Sequence, residues 1–486
     1  MSIDRRGRLP AGIGSPAGLM DFDCLCAAVR GSFLGDPAAG GFASVCIDSR
    51  KARPGALFVA LEGETQDGHR FVESAFRAGA VCALVEAAKA EALGLREMAA
   101  SYGAVLIAVE NTLRALQDAA AAYLEGFPSL IRIGITGSSG KTTTKEIAAA
   151  IIGGEMKTVM NPLNLNSETG LPLAVFEVRD FHRAGVFELG MNRKGEIAEL
   201  ARVLRPHIAL ITNVGFSHIG KIGSRPEIAW EKKQIFSYLN RDDRALIPAS
   251  SEFRDLLAED LGGIVRFYGP ESLEEWGPVR DLGLLGSEIT WAGEKVRFGL
   301  PGKHNLEDAA AALAIARELG IRDGAIRQGL ESVQPLFGRS EILEGAMTVI
   351  RDCYNANPES TAAAISFCDD LEFPGRKVYV LGSMLELGAA AEAAHREIGS
   401  ALARSGADMV FLYGEEMEEA AACLAEAGRP EPGRVPFFHT NSMEVLASSL
   451  GAYVGKGDLV LLKGSRGCAL ERLMPVLTGE GGAGCF

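Results

Sequence analysis

The chain has 486 residues, 63 of them acidic and 49 basic, for a formal charge of -14, with 47% hydrophobic and 23% charged residues. That balance excludes disordered and fibrous classes and disfavours non-specific binding to nucleic acid or an anionic membrane surface. The length predicts about two to four domains, with three as the working expectation.

The chain opens on "MSIDRRGRLPAGIGSPAGL", which is basic but has no apolar run of a secretory kind. No window approaches the ~18 apolar residues of a membrane span, so the cytoplasm is the expected location. Nine cysteines without a CxxC pair predict scattered reduced thiols that pack as small hydrophobes.

In chain order, apolar strands at 56–61 and 80–85 flank a helix-like stretch around 71–77, predicting a small α/β domain over residues 1–128. Pro128 interrupts that pattern. The strand "IRIGIT" then enters a glycine loop and a helix starting near Lys141. The strands "AGVFELG" and "HIALITNVG" follow, separated by the amphipathic "RKGEIAELARVLRP", an alternation that predicts a mainly parallel sheet over residues 129–334. The theme repeats over 335–486 in "MTVIRDCYNANPES", "KVYVLGSMLELG", "DMVFLYG" and "DLVLLKGSRG", each an apolar strand that ends in small or polar residues. In open α/β sheets such strand ends are where ligands bind.

The most specific local signal is "GITGSSGKTTTKE". Strand, glycine loop and helix in that order aim backbone N–H groups and a helix N-terminus at an anion, which requires Gly137 and Gly140 to be small. Lys141 supplies a cation for outer phosphates, and the Thr142 hydroxyl suits Mg²⁺. The spacing departs from the common phosphate loop, with two residues between the glycines instead of four. Glu188 and His218 follow apolar strands and are expected on the same rim as Lys141, where they would serve magnesium-assisted phosphoryl transfer. Lys232 and Lys233 read by themselves as solvated helix charges. In "DCYNANPES", Asp352 ends a strand, and Asn355 and Asn357 are amides able to bind a peptide-like substrate or to shape a turn.

Taken together, "GSSGKT", "NLNSETGLP", "FELGMN", "NVGFSHIG", "GKHNLEDAAAALA", "GRSEI" and "LKGSRG" resemble the Mur ligase family across nearly the whole chain. The resemblance implies three α/β domains: an N-terminal UDP-binding domain, a central P-loop ATP-binding domain and a Rossmann-like C-terminal domain. It implies an ATP- and Mg²⁺-dependent amide ligase acting through an acyl phosphate. "DCYNANPES", "LGSMLELG" and His395 with "REIG" are similar to the member that joins D-alanyl-D-alanine to UDP-N-acetylmuramoyl-tripeptide, working as a monomer. Another ligase of this fold, tripeptide-forming or folylpolyglutamate-like, is the second reading, and a non-catalytic nucleotide-binding module the third.

Carried over by residue, the resemblance makes Gly137, Ser138, Ser139, Gly140, Lys141, Thr142 and Thr143 the ATP phosphate loop. Asn305, Arg339 and Asp352 would complete the nucleotide site. Glu188, His218 and Thr142 would serve Mg²⁺, joined by Lys232, which aligns with a lysine that is carbamylated in several relatives. Ser49 and Arg50 would approach the uridine nucleotide, and Asn355 and Asn357 the incoming dipeptide. Asp308 stands where the family often has Asn, and no role is assigned to it.

Overall fold

The computed structural model describes residues 18–35, 39–63, 65–162, 164–426 and 435–478. Most of the N-terminal stretch read above for a signal segment, and Cys485, lie outside the described residues; the eight cysteines within them are free thiols.

The central sheet is all parallel, in the order Ile264–Tyr268, Arg244–Pro248, Ile208–Ile211, Ile131–Thr136, Ala184–Glu188, Thr158–Met160. Every residue of Ala184–Glu188 and of Ile208–Ile211 is buried. Continuous apolar strands of this kind belong to a sheet covered on both faces. On one face, helix Lys141–Gly153 packs against helices Lys303–Glu318 and Asp323–Ser332. The buried alanines 309–312, 314 and 316 keep that contact close.

The other face meets the N-terminal unit, whose five-stranded sheet runs Ser32–Phe33, Val105–Val109, Cys82–Glu86, Ala56–Val59, Ser44–Cys46, parallel except at its first pair. Its last helix, Thr112–Glu125, lies against helices Gly170–Val175 and Glu196–Leu204 of the central unit. The C-terminal sheet runs Glu341–Glu344, Thr348–Asp352, Leu459–Lys463, Lys377–Gly382, Met409–Tyr413, Phe437–Thr440, with only the first strand antiparallel.

One element was not anticipated: an antiparallel sheet of Trp276–Asp281, Ser287–Trp291 and Glu294–Phe298. Its hairpin turns on Ala292 and Gly293, at φ of 49° and 81°, the paired positive angles of a tight two-residue turn. The alternating burial of Ser287–Trp291 is the period-two signal of a half-buried strand.

Candidate active site

The phosphate loop is held in shape by the strand beside it. A Cβ on Gly137 would stand 1.7 Å from Thr212 Oγ1, and one on Gly140, at φ 77°, would stand 2.0 Å from Asp308 Oδ1. Neither position accepts a side chain, which is why the short loop carries glycine at both. The Ser138 and Ser139 N–H groups donate to Asn213 Oδ1 at 3.1 and 2.9 Å. Thr212 Oγ1 donates to Ser139 O at 2.6 Å, and Ser217 Oγ to Ser138 O at 3.1 Å. Lys141 Nζ folds back to donate to Gly137 O at 2.9 Å. Burial lowers the pKa of its ammonium, opposed by the charge of Glu188.

Glu188, the last residue of its strand, is buried and fully engaged. Its carboxylate accepts from Thr142 Oγ1 and from Asn166 Nδ2, both at 2.7 Å. Asn161 bonds both its backbone N–H, at 2.9 Å, and its carbonyl, at 3.0 Å. Asn161 and Asn166 were not singled out from sequence, although the amide-rich run after a short strand was the available signal. A buried hydroxyl and carboxylate 2.7 Å apart at a helix N-terminus are the oxygen donors that Mg²⁺ takes, so these residues fit that ion. Among the described residues no group of three or more His, Cys, Asp and Glu could hold a metal.

His218 lies in the loop after strand Ile208–Ile211, not at the strand's end, and adopts a left-handed φ of 64°. Burial and the charge of Lys141 push its imidazole below its ordinary pKa, with Glu386 pulling the other way. Lys232 is 1% exposed, contrary to the plain reading as a solvated charge. Burial, then the charge of Lys141, drives its pKa well below the usual ammonium range, against Glu231. Lys233, also buried and so also contrary to that reading, rests over the Trp230 ring, 5.3 Å from its centroid.

The C-terminal sheet supplies the opposite wall. Asp352 Oδ2 lies 3.0 Å from Lys463 Nζ, and its Oδ1 accepts from Ser340 N at 3.1 Å. Arg339 stacks on Tyr354 at 4.3 Å, and buried Asn305 donates to Pro301 O at 2.7 Å. Asn355 is exposed. Asn357 is committed elsewhere: its Oδ1 caps helix Pro358–Asp370 by accepting from Ser360 N at 2.8 Å, and its Nδ2 donates to Ser217 Oγ at 2.6 Å.

A cavity of about 400 Å³ between the central and C-terminal sheets gathers the residues 138–143, Glu188, His218, Asn305, Arg339, Asp352, Asn355 and Asn357. Asn166, Asn213, Tyr354 and Lys463, unassigned from sequence, share its lining, as does Asp308, whose carboxyl burial raises well above the usual range. Lys232 lies outside the lining but within electrostatic reach of Lys141 and His218. Ser49 and Arg50 also lie outside it, on a short turn of the N-terminal unit, where the exposed Arg50 guanidinium is forked onto Asp48 at 2.9 and 2.8 Å.

A phosphate loop, a buried carboxylate beside it and a cleft shared by two α/β units define a P-loop enzyme that acts on a nucleoside triphosphate. Three stretches match family descriptions: residues 42–124 the Mur ligase family, catalytic domain; 135–316 the Mur ligase middle domain; and 338–466 the Mur ligase, glutamate ligase domain. The chain belongs to the Mur ligase family, whose members are ATP-dependent amide ligases. It is 43% identical to the UDP-N-acetylmuramoyl-tripeptide--D-alanyl-D-alanine ligase of Treponema pallidum (strain Nichols), over 95% of this chain and all of that one. The corresponding Bacillus subtilis (strain 168) enzyme is 35% identical over 88% of this chain and 92% of its own. Among solved structures, MurF from Acinetobacter baumannii aligns with TM-score 0.82 at 28% identity, covering 94% of this chain and 98% of that one. MurF ligase from Thermotoga maritima in complex with ADP aligns with TM-score 0.73 at 28% identity, covering 90% and 97%.

Proposed function

We propose that this protein joins D-alanyl-D-alanine to UDP-N-acetylmuramoyl-tripeptide at the expense of ATP, giving ADP and phosphate, in peptidoglycan precursor synthesis. The observation that carries this reading is the single cavity in which the phosphate loop and Glu188 face the "NANP" loop of the C-terminal unit. We assign residues 1–128 to the UDP end of the acceptor, 129–334 to ATP and 335–486 to the dipeptide and part of the nucleotide, in a monomer working in the cytoplasm.

A carboxylate does not acylate an amine at neutral pH, because its oxygen is too poor a leaving group. In this reading the terminal carboxylate of the tripeptide attacks the γ-phosphorus of ATP, the bond to the β-phosphate oxygen breaks, and an acyl phosphate and ADP result. The dipeptide amine then attacks the acyl carbon, loses a proton, and phosphate departs. Lys141, which donates to Gly137 O within the phosphate loop, would turn to the transferring phosphoryl group and neutralise charge there. Ser138 to Thr143 would orient the phosphates through N–H groups at the helix N-terminus. Asn305, Arg339 and Asp352 would hold the rest of the nucleotide, Ser49 and Arg50 the uridine end, and Asn355 the dipeptide.

Mg²⁺, held by Thr142 and Glu188 with His218 on a second ion, would screen the phosphate charge and polarise the transferring group. Lys232 is suited to carbamylation: burial favours its neutral amine, the form that adds to CO₂, and the carbamate would offer oxygens toward the second cation. The cleft's position between two units lets their approach exclude water that would hydrolyse the acyl phosphate.

Phosphate release measured with UDP-muramoyl tripeptide, with and without D-alanyl-D-alanine, tests the reading. Release dependent on both is expected; release indifferent to the dipeptide overturns it. A panel of tripeptides differing at the third residue identifies the acceptor.

A further inference from the structure

The loop 215–221, which carries His218, is gripped from the C-terminal unit by two separate segments. The first is "NANPES". Asn357 Nδ2 donates to Ser217 Oγ at 2.6 Å, and the Phe216 N–H donates to Glu359 Oε1 at 2.9 Å. The second is "LELG". The Gly220 N–H donates to the Glu386 carbonyl at 3.0 Å, while the Glu386 carboxylate lies 2.7 Å from His218 Nδ1 and 3.1 Å from Lys221 Nζ. The Nδ1 contact is short but does not have the geometry of an aligned hydrogen bond.

Two further features mark this as a built junction. A Cβ on Gly220 would stand 2.6 Å from Gly388 N, so the two backbones touch where no side chain fits. His218 and Glu386 face each other with φ of 64° and 66°, a left-handed conformation that non-glycine residues keep only where their surroundings over-determine it.

The Glu386 turn is itself bolted down. His395 is wholly buried; its Nε2 accepts from Met384 N at 3.0 Å and its Nδ1 lies 2.7 Å from Ala391 O, the pattern of one neutral tautomer. Leu385 N donates to Ser465 Oγ at 2.9 Å. Helix Ala391–Ala403 and the segment after strand Leu459–Lys463 therefore hold the turn from both sides.

We infer that Glu386 is a positioning residue for His218, supplied by the C-terminal unit, and that His395 positions Glu386. His218 then takes its working orientation only when the C-terminal unit is seated on the loop 215–221. Partners of this kind, which orient a ligating histidine without touching substrate, typically contribute about tenfold to a hundredfold in affinity or activity.

The inference rests on the ligase reading for its kinetic arm and on binding for a second. Glu386→Ala should lower kcat by about tenfold or more with KM for UDP-muramoyl tripeptide nearly unchanged, and should weaken Mn²⁺ binding to the protein–ADP complex by a similar factor, read by electron paramagnetic resonance. His218→Ala should have a comparable effect, and the double variant should be no worse than the poorer single one, because the two act as a unit. His395→Ala should show a smaller loss of the same kind that His395→Gln, whose Oε1 can accept from Met384 N, restores. Melting curves confirm that each variant is folded. Additive effects in the double variant, or kcat and Mn²⁺ affinity within twofold of wild type in Glu386→Ala, overturn the assignment. If the wild type itself fails to turn over, the ligase reading falls, and the Mn²⁺ arm still decides the role of Glu386.

Discussion

The central unit meets its two neighbours in opposite ways. Toward the N-terminal unit the seam has a continuous apolar centre: Phe42, Tyr123 and Phe176 belong to one buried cluster with Leu200 and Leu204, and the Tyr123 and Phe176 rings lie 5.2 Å apart. Tyr123 Oη donates to Val178 O at 2.7 Å, and Arg202 at the seam's border pairs with Asp118 and Gln117. Toward the C-terminal unit the seam encloses a 400 Å³ cavity bordered by polar contacts from Asn357, Glu359 and Glu386, with Phe216 and Ile219 of the His218 loop packed on the C-terminal core. Dispersion and burial make the first seam a permanent weld, since separating it would expose a continuous core. Hydrogen bonds and ion pairs exchange with water at small net cost, so the second can open to admit substrates and close for chemistry. A ligase that must admit three substrates and then exclude water needs one seam of each kind.

The largest effect that would break this contrast comes from the weld. Phe176→Ala should cost about 3–5 kcal/mol of stability, read as a lowered urea midpoint, with kcat of the folded fraction unchanged. The reverse pattern belongs to the cleft. Lys141→Ala should lower kcat by about a hundredfold to a thousandfold with an unmoved melting temperature, since in the proposed reaction it removes the charge that neutralises the transferring phosphoryl group. A Lys141→Ala variant with normal turnover would refute its assignment.

A smaller effect sharpens the polar seam. Asn357→Ala removes both a helix cap and the bond to Ser217, and should cost about 1 kcal/mol of stability together with turnover. Asn357→Ser keeps a capping oxygen but is too short to reach Ser217, so it should recover most of the stability and less of the activity. If both variants lose stability and turnover in the same proportion, Asn357 matters as a cap alone.

The smallest effect is pH dependence. Burial holds His304, in the central unit, and His395, in the C-terminal unit, below the ordinary 6.5. Between those lowered values and 6.5 the folded protein binds fewer protons than the unfolded chain, so stability rises with pH in that window. Their contribution is complete above 6.5 and fades as pH falls through it. Urea midpoints between pH 7.5 and 5.5 should decline, and the decline should shrink in His395→Gln.

Much of the molecule was legible before its structure. "IRIGITGSSGKTT" announced strand, loop and helix because glycine spacing and apolar runs are local signals, and the alternating strands and helices led to mainly parallel sheets. Glu188 followed from its place at the end of an apolar run. The hairpin at Ala292–Gly293 was overlooked because its period-two pattern is short and lies amid crossover helices. Asn357 looked like a substrate amide, and nothing local revealed that Ser217, 140 residues away, would take its Nδ2. Lys232 and Lys233 were equivalent on paper; helical phase buried both, one within electrostatic reach of Lys141 and the other over Trp230.

The sequence by itself determined the family, the three α/β regions and the phosphate loop, because each rests on residues adjacent in the chain or repeating at a fixed period. Tertiary structure decided which amides clasp Glu188, which lysine is desolvated, and that "NANPES" and "LELG" both close on the loop of His218. Those outcomes depend on distances between segments not adjacent in the chain, 143 residues apart for Phe216 and Glu359, which only the packing of the elements sets.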